Sequence, residues 1–176
     1  NVILDLQFSP DGRYHAAALG SNGIKIWRCS DWGLHAEDKN YGGNSYKLAF
    51  DAWGQRLATV CNDGHLRLYD ATGKLLQKVK TTGGSCPISL AFSLDARLLA
   101  IGYEDSPKVQ VLDAQTLQVL YAPDINGAST LNQRLNKVAF SADGHSLAAG
   151  GSYKLAQNGR WQRQIRVWTQ AGRGEY

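Results

Sequence analysis

A phenylalanine followed by a tight turn recurs four times along the chain and constrains it more than any other feature. The copies are Leu6-Gln7-Phe8-Ser9-Pro10-Asp11-Gly12, Leu48-Ala49-Phe50-Asp51-Ala52-Trp53-Gly54, Leu90-Ala91-Phe92-Ser93-Leu94-Asp95-Ala96 and Val138-Ala139-Phe140-Ser141-Ala142-Asp143-Gly144. Their phenylalanines stand 42, 42 and 48 positions apart. A period in the low forties marks an array of stacked structural units, because one unit alone cannot bury its apolar face.

Each unit reads as four strands. Alternating apolar residues such as Leu4, Leu6 and Phe8 lead into the turn and predict a half-buried strand. The turn carries Pro, Asp or Gly, which supply a fixed φ, a side-chain acceptor and access to positive φ. A second strand is rich in small residues: Ala16-Ala17-Ala18-Leu19, Leu57-Ala58-Thr59-Val60, Leu98-Leu99-Ala100-Ile101 and Leu147-Ala148-Ala149-Gly150. Small side chains suit a sheet packed closely on both faces. Hairpin signals such as Ser21-Asn22-Gly23 and Asn62-Asp63-Gly64 follow. The third strand is Ile24-Lys25-Ile26-Trp27, Leu66-Arg67-Leu68-Tyr69, Val109-Gln110-Val111-Leu112 or Ile165-Arg166-Val167-Trp168. Its apolar–polar–apolar beat predicts an outer strand with one wet side. A further strand, as in Lys74–Val79, precedes the next phrase. Four antiparallel strands repeated at this interval make one blade of a β-propeller.

These features resemble the WD-repeat family of β-propellers: the FSPDG-type turn, the small-residue middle strand, the DG hairpin and the aromatic that closes the third strand. The resemblance extends over essentially the whole chain. The closing Trp-Asp pair is nowhere intact; its places hold Trp27-Arg28, Tyr69-Asp70, Leu112-Asp113 and Trp168-Thr169. The family's Gly-His before the second strand is absent from every repeat, so the family's Asp–His–Ser–Trp hydrogen-bond network is not expected here.

The expected fold is all-β, a propeller arc of about four four-stranded antiparallel blades, incomplete or part of a larger ring. The approximate repeats are 1–30, 31–72, 73–115 and 116–176. The chain begins at the turn phrase, inside the second strand of a blade, with no upstream strand to complete the first blade. Propellers avoid free edges by closing, and an arc exposes one apolar blade face at each end.

Charge and cysteine bound the partners. Residues 130–176 carry seven Lys or Arg against Asp143 and Glu175, a net of +5 within a total of +4. A basic last repeat admits nucleic acid or an anionic surface as a partner, although its charges lie on separate strands and turns. Cys29, Cys61 and Cys86 stand in three different repeats without metal-binding spacing, which fits free thiols in a reducing compartment, the cytoplasm. No stretch reads as a membrane span, and no membrane partner is expected.

Repeats signal function where they deviate. The fourth unit spans 28 positions from Phe140 to Trp168, against 19 from Phe8 to Trp27. About nine residues have entered the hairpin between its middle and third strands, around Tyr153, Arg160, Trp161 and Arg163. Asn158-Gly159 makes a longer hairpin one reading; Tyr, Trp and Arg, the types enriched in binding hot spots, make a partner contact the other. A polar loop lengthens the interval near Pro123–Thr130. Trp53 stands in a turn where the other copies have Asp, and Trp32 follows the first of the third strands. The resemblance places both on the disc face that the family uses to dock proteins and peptides. An aromatic anchor and separate packing of each ring over its own loop are the two alternatives.

Catalytic chemistry is not legible. His15, His35, His65 and His145 are scattered, and the recurring Asp11, Asp95 and Asp143 occupy one turn position, as turn-makers do. No catalytic residue, cofactor or metal site is expected, and the chain is not expected to be an enzyme. The expected function is a protein–protein interaction scaffold or sensor module of a larger multidomain protein. Its partner would be a protein or peptide, another propeller half, or other domains of the same polypeptide. Nucleic-acid or anionic-surface binding, and service as a domain accessory to an enzyme, are the alternatives.

Overall fold

The turn phrase folds alike wherever it keeps its serine and aspartate. In a computed structural model, which describes residues 2–125, 134–154 and 161–174, the Ser9 hydroxyl donates to Asp11 Oδ1 at 2.6 Å and accepts the Tyr14 N–H at 2.9 Å. Asp11 also accepts the Arg13 N–H at 3.0 Å. Ser93 with Asp95, and Ser141 with Asp143, repeat the arrangement. The residue after the aspartate needs positive φ: Gly12 and Gly144 supply it at 71° and 72°, and Ala96 adopts 52°. The aspartates are turn-makers.

Strands on either side of these turns form four antiparallel sheets. The first holds β1 (Asp5–Phe8), β2 (Tyr14–Ala18), β3 (Ile24–Arg28) and β4 (Leu34–Asp38); the second holds β5 (Ser45–Phe50), β6 (Arg56–Cys61), β7 (His65–Asp70) and β8 (Leu75–Lys80). The third holds β9 (Pro87–Phe92), β10 (Leu98–Tyr103), β11 (Val109–Asp113) and β12 (Val119–Tyr121). The fourth, among the described residues, holds β13 (Arg134–Phe140), β14 (Leu147–Lys154) and β15 (Trp161–Trp168). In every sheet spatial order follows chain order.

The sheets stack face to face, each through its first two strands: β1 and β2 on β5, β5 and β6 on β9, β9 and β10 on β13. One joint is built three times from the same repeat positions. Ala16, Ala18, Ile24 and Ile26 of the first sheet meet Leu48, Leu57 and Tyr69 of the second. Ala58, Val60, Leu66 and Leu68 meet Leu90, Leu99, Ile101 and Leu112. Ala100, Val109 and Val111 meet Val138, Leu147, Ala149 and Trp168. In each joint small residues of one middle strand face larger residues of the next sheet, and the second joint also sets Leu66 and Leu68 against Leu90 and Leu99. No comparable packing joins the first sheet to the fourth among the described residues, so the stack is an open arc.

Two expectations need correction, on the strands of the first sheet and on the third strand, and the sheets need not share the bounds of the sequence repeats. The first sheet is not short of a strand: β1 is its inner strand and β4 supplies the fourth. Hydrogen bonding assigns each outer strand to the three strands before it, so the sheets run 5–38, 45–80 and 87–121, whereas 31, 73 and 116 mark sequence periods. In the second and third sheets the third strand is not outermost and has no wet side. Arg67 and Gln110 in its polar position are buried because the next strand covers the edge and a neighbouring sheet covers each face, and Arg166 is buried on the face of β15 that meets the third sheet.

The insertion in the fourth repeat lengthens two strands. β14 and β15 pair from Leu147↔Trp168 to Lys154↔Trp161 without a break. In the lengthened loop before β13, Pro123 is buried and the Asp124 carbonyl accepts the Trp168 indole N–H at 2.7 Å.

Leu6 and Leu48 hold the same repeat position, but Leu48 is 0% exposed in the first joint and Leu6 is 50% exposed on the uncovered face of the first sheet. Leu48→Ala is expected to cost about 2–5 kcal/mol. Leu6→Ala should stay within about 0.5 kcal/mol, as an exposed substitution does. Denaturant midpoints of the two variants decide it; equal losses would contradict the arc.

Candidate interaction site

Trp53 occupies its turn because the turn's carboxylate has moved. Asp51 stands where the other copies have serine and makes the turn itself, accepting the Gln55 N–H at 2.8 Å and Arg56 Nε at 2.9 Å. Position 53 is thereby released from turn-making, and its indole is 58% exposed. Arg56 reaches onward to the third sheet, donating to the carbonyls of Ala114 at 2.7 Å and Ala96 at 2.6 Å. Above this bridge, a groove of about 720 Å³ lies between the second and third sheets. Trp53, Leu76, Asp95, Arg97, Asp113 and Gln115 line it together with Arg56. The Ser93 hydroxyl, against a smaller opposing effect of burial, holds the Asp95 carboxyl below its ordinary range. N–H groups of the Gln115–Thr116 turn and the Thr116 hydroxyl do the same for Asp113. The groove thus combines apolar walls with ionised carboxylates and the exposed Arg97 guanidinium.

Trp32 lies at the same end of the sheets in different surroundings. It adopts φ 55°, an outlier for a bulky residue, in a turn braced by Asp31. That carboxylate accepts from Arg28 at 2.9 Å and from the Gly33 N–H at 2.9 Å. The indole is 64% exposed and meets His15 edge-on at 6.5 Å. His15 in turn lies 5.1 Å from Phe8 and 5.4 Å from Trp27, which makes an aromatic row on the uncovered face of the first sheet. Trp32 therefore belongs to that end face and Trp53 to the groove. Arg163 is exposed on β15. Tyr153 and Trp161 are described as backbone only, in β14 and β15, and Arg160 lies outside the described residues.

Among the described residues, the basic side chains of the fourth repeat do not gather. Arg134 pairs with Glu104, Arg166 is buried, and the Arg173 guanidinium sits 4.6 Å above the Tyr121 ring. Lys137 and Arg163 are exposed.

A polar clamp at the opposite end of the sheets was not predicted. Tyr69 donates to Asp38 at 2.8 Å, so its one proton is committed. Tyr41 must then donate to Tyr69 at 2.9 Å and accept from Thr59 at 2.7 Å, a directed chain across the first joint. The Tyr41 ring carries the Arg67 guanidinium at 4.0 Å, and Arg67 donates to Asp63 at 2.7 Å. Asp63 and Asn62 accept N–H groups of Gly42 and Asn44, in the segment linking the first two sheets. Between the second and third sheets Asp105 holds the N–H groups of Ser85 and Cys86 in the same way, while Gln110 bonds Tyr103, Thr82 and Gly83. Burial pushes Tyr41 up to about 12 and the Cys61 thiol up to about 11. It would also raise Asp63, but hydrogen bonds from Arg67, Cys61 and Gly42 outweigh it and hold that carboxyl far below its ordinary range. The sequence did carry a signal, a polar residue at one repeat position of every third strand: Lys25, Arg67, Gln110 and Arg166.

Antiparallel sheets in chain order, stacked through their inner strands at a near-constant repeat, define a segment of a β-propeller. The description "WD domain, G-beta repeat" matches residues 1–28. A guanine nucleotide-binding protein subunit beta from Arabidopsis thaliana is 32% identical over 134 residues, covering 74% of this chain and 33% of that protein. Its counterpart from Solanum tuberosum is 31% identical over 127 residues, covering 68% and 30%. WD repeat-containing protein 90 from Xenopus tropicalis is 27% identical over 126 residues, covering 68% of this chain and 7% of its own length. The matched segment spans about a third of the length of the guanine nucleotide-binding relatives. The chain belongs to the WD-repeat family.

Among the described residues no cluster of His, Cys, Asp and Glu could hold a metal ion, and no helix is long and apolar enough to cross a membrane. The three cysteines are free thiols.

Two outcomes follow from the clamp. With its folded-state pKa depressed, Asp63 contributes stability that is whole above the ordinary carboxylate value of 3.8 and drains away as the pH falls below it. Asp63→Asn, which strands the buried Arg67, is expected to cost about 3–5 kcal/mol at neutral pH and to flatten the acid limb of a stability–pH curve; an unchanged limb would refute the assignment. In the native protein a disulfide reagent should label the half-buried Cys29 and Cys86 before the buried Cys61, which should react only on unfolding. Equal labelling rates would show that the clamp opens.

Proposed function

We propose that this chain is a protein–protein interaction scaffold of a larger multidomain protein, docking a peptide segment of its partner in the groove beside Trp53. The observation that carries this reading is the displaced turn carboxylate. Asp51 has taken over the structural task, and an indole stands exposed at the mouth of a groove in its place. A large aromatic beside Leu76, with Arg97 and two carboxylates at the rim, has the composition of an interface anchor surrounded by polar contacts. The fold supports the reading as well: stacking energy lies in the joints between sheets, which leaves turns free to vary. The similar guanine nucleotide-binding proteins are named as subunits, parts of an assembly. Free thiols favour a reducing compartment such as the cytoplasm.

The test is selection of peptides from a display library on the intact chain, followed by affinity measurement on Trp53→Ala, Leu76→Ala and Trp32→Ala. Trp53→Ala is expected to weaken binding at least about tenfold, roughly 1.4 kcal/mol, with a smaller loss for Leu76→Ala and none for Trp32→Ala. Peptides that bind Trp53→Ala as tightly as the parent chain would place the docking site elsewhere.

A further inference from the structure

The groove beside Trp53 turns its donors inward and keeps acceptors at its surface. On its floor the Arg56 guanidinium gives Nε to Asp51 and its two terminal nitrogens to the carbonyls of Ala114 and Ala96. The Gln77 amide, from the second sheet, donates to the Gln115 carbonyl of the third at 2.7 Å. Both groups are held by the walls they join.

The third-sheet wall carries two carboxylates, each fixed through one oxygen. Asp113 Oδ1 accepts the Gln115 N–H at 3.0 Å, the Thr116 N–H at 2.7 Å and the Thr116 hydroxyl at 2.9 Å. Asp95 Oδ1 accepts the Ser93 hydroxyl at 2.6 Å and the Arg97 N–H at 3.1 Å. Among the described residues, the second oxygen of Asp113 accepts no hydrogen bond and joins no ion pair. The second oxygen of Asp95 meets Arg97 Nε at 3.9 Å, with side chains 58% and 85% exposed; so open a pair is worth little. The second-sheet wall presents the exposed Trp53 indole and Leu76.

An aromatic ring and two carboxylates lining one groove select one kind of side chain. A cation on an aliphatic stem can lie against the indole, whose ring quadrupole attracts positive charge, and give its N–H groups to the carboxylate oxygens. Lysine and arginine carry donors and no acceptor. An acidic side chain would meet two like charges, and an apolar one would take water from the carboxylates without replacing it. The turn bonds already hold both carboxylates, so engaging them costs little side-chain freedom.

We infer that the segment docked in this groove carries a basic side chain, arginine or lysine, placed over the Trp53 indole and paired with Asp95 and Asp113. The inference rests on the reading of the groove as a peptide-docking site and adds the chemistry of its ligand. Arg97 then competes for Asp95 and is not a contact for the peptide.

Four peptide display pools, alike except for a fixed central Arg, Lys, Glu or Leu, are panned on the intact chain. The Arg and Lys pools should supply the binders. Trp53→Ala and Asp113→Asn should each weaken a purified binder at least about tenfold. Asp113→Asn keeps an oxygen for the turn, so circular dichroism should not change. Arg97→Gln should tighten binding roughly twofold, and raising salt from about 50 to about 500 mM should weaken it. Binders that need Trp53 but carry Glu or Leu at the centre, or that ignore Asp113→Asn, would overturn the basic ligand and leave the groove as the docking site. Weaker binding to Arg97→Gln would make that guanidinium the contact and overturn it too. Basic peptides indifferent to Trp53→Ala would overturn both readings, as would four pools that yield no binder.

Discussion

Everything in this structure depends on the apolar contact between successive sheets, in which small residues of one middle strand let the larger residues of the next sheet come close. A sheet buried on both sides must present two apolar faces, and small residues on one of them let neighbouring sheets approach closely. The chain resolves this by giving each middle strand alternating duties. Ala16 and Ala18 point towards the next sheet, while Leu57 and Leu99, at the other parity of their strands, point back towards the previous one. A one-residue slip of register would exchange the faces and turn the small residues away from the joint they allow to close. The turn phrase is what prevents it: Ser9 and Asp11 tie the first strand to the second at a fixed offset, which pairs Phe8 with His15, just as Phe92 pairs with Leu99.

That logic explains which parts of the fold were legible. Period, phrase and strand parity are local properties, and they gave four stacked sheets and exposed end faces directly. The role of the third strand was not legible, because alternation of polar and apolar residues reports a wet face only if the polar side chain reaches water. Arg67 and Gln110 instead reach the segments that join successive sheets. Their partners, Asn40, Asp63, Thr82 and Gly83, lie in loops whose course is set by the stacking itself, so no local pattern announces them. Strand ownership is not legible for a related reason. The sequence period does not say whether the fourth strand closes one sheet or opens the next; hydrogen bonding does.

The site divides in the same way. Trp53 was marked by its departure from the repeat, but the reason for that departure lay two residues earlier, in Asp51, which the phrase presents as a mere variant of serine. Trp32 was marked too, and grouping it with Trp53 rested on both turns emerging at one end of the sheets. They do emerge together, yet the first joint separates their surroundings. Being at one end of a stack is a weaker relation than sharing a groove.

The polar clamps and the displaced carboxylate together show how a repeat array of this kind keeps rigidity and variation apart. At one end of the sheets buried hydroxyls and ion pairs hold the connecting segments, and each is costly to disturb because a stranded partner remains buried. At the other end the turn requires only one acceptor close to its first residue, and serine with aspartate or aspartate alone can supply it. A position that either solution leaves free carries no structural obligation, so its side chain can be chosen by what it touches outside the fold. In the second sheet that position holds an indole beside a groove bridged by Arg56, whose bonds to Ala96 and Ala114 fix the spacing of the two walls. The groove is thus as rigid as the joint beneath it, and a partner docking there as proposed would meet walls already held in place.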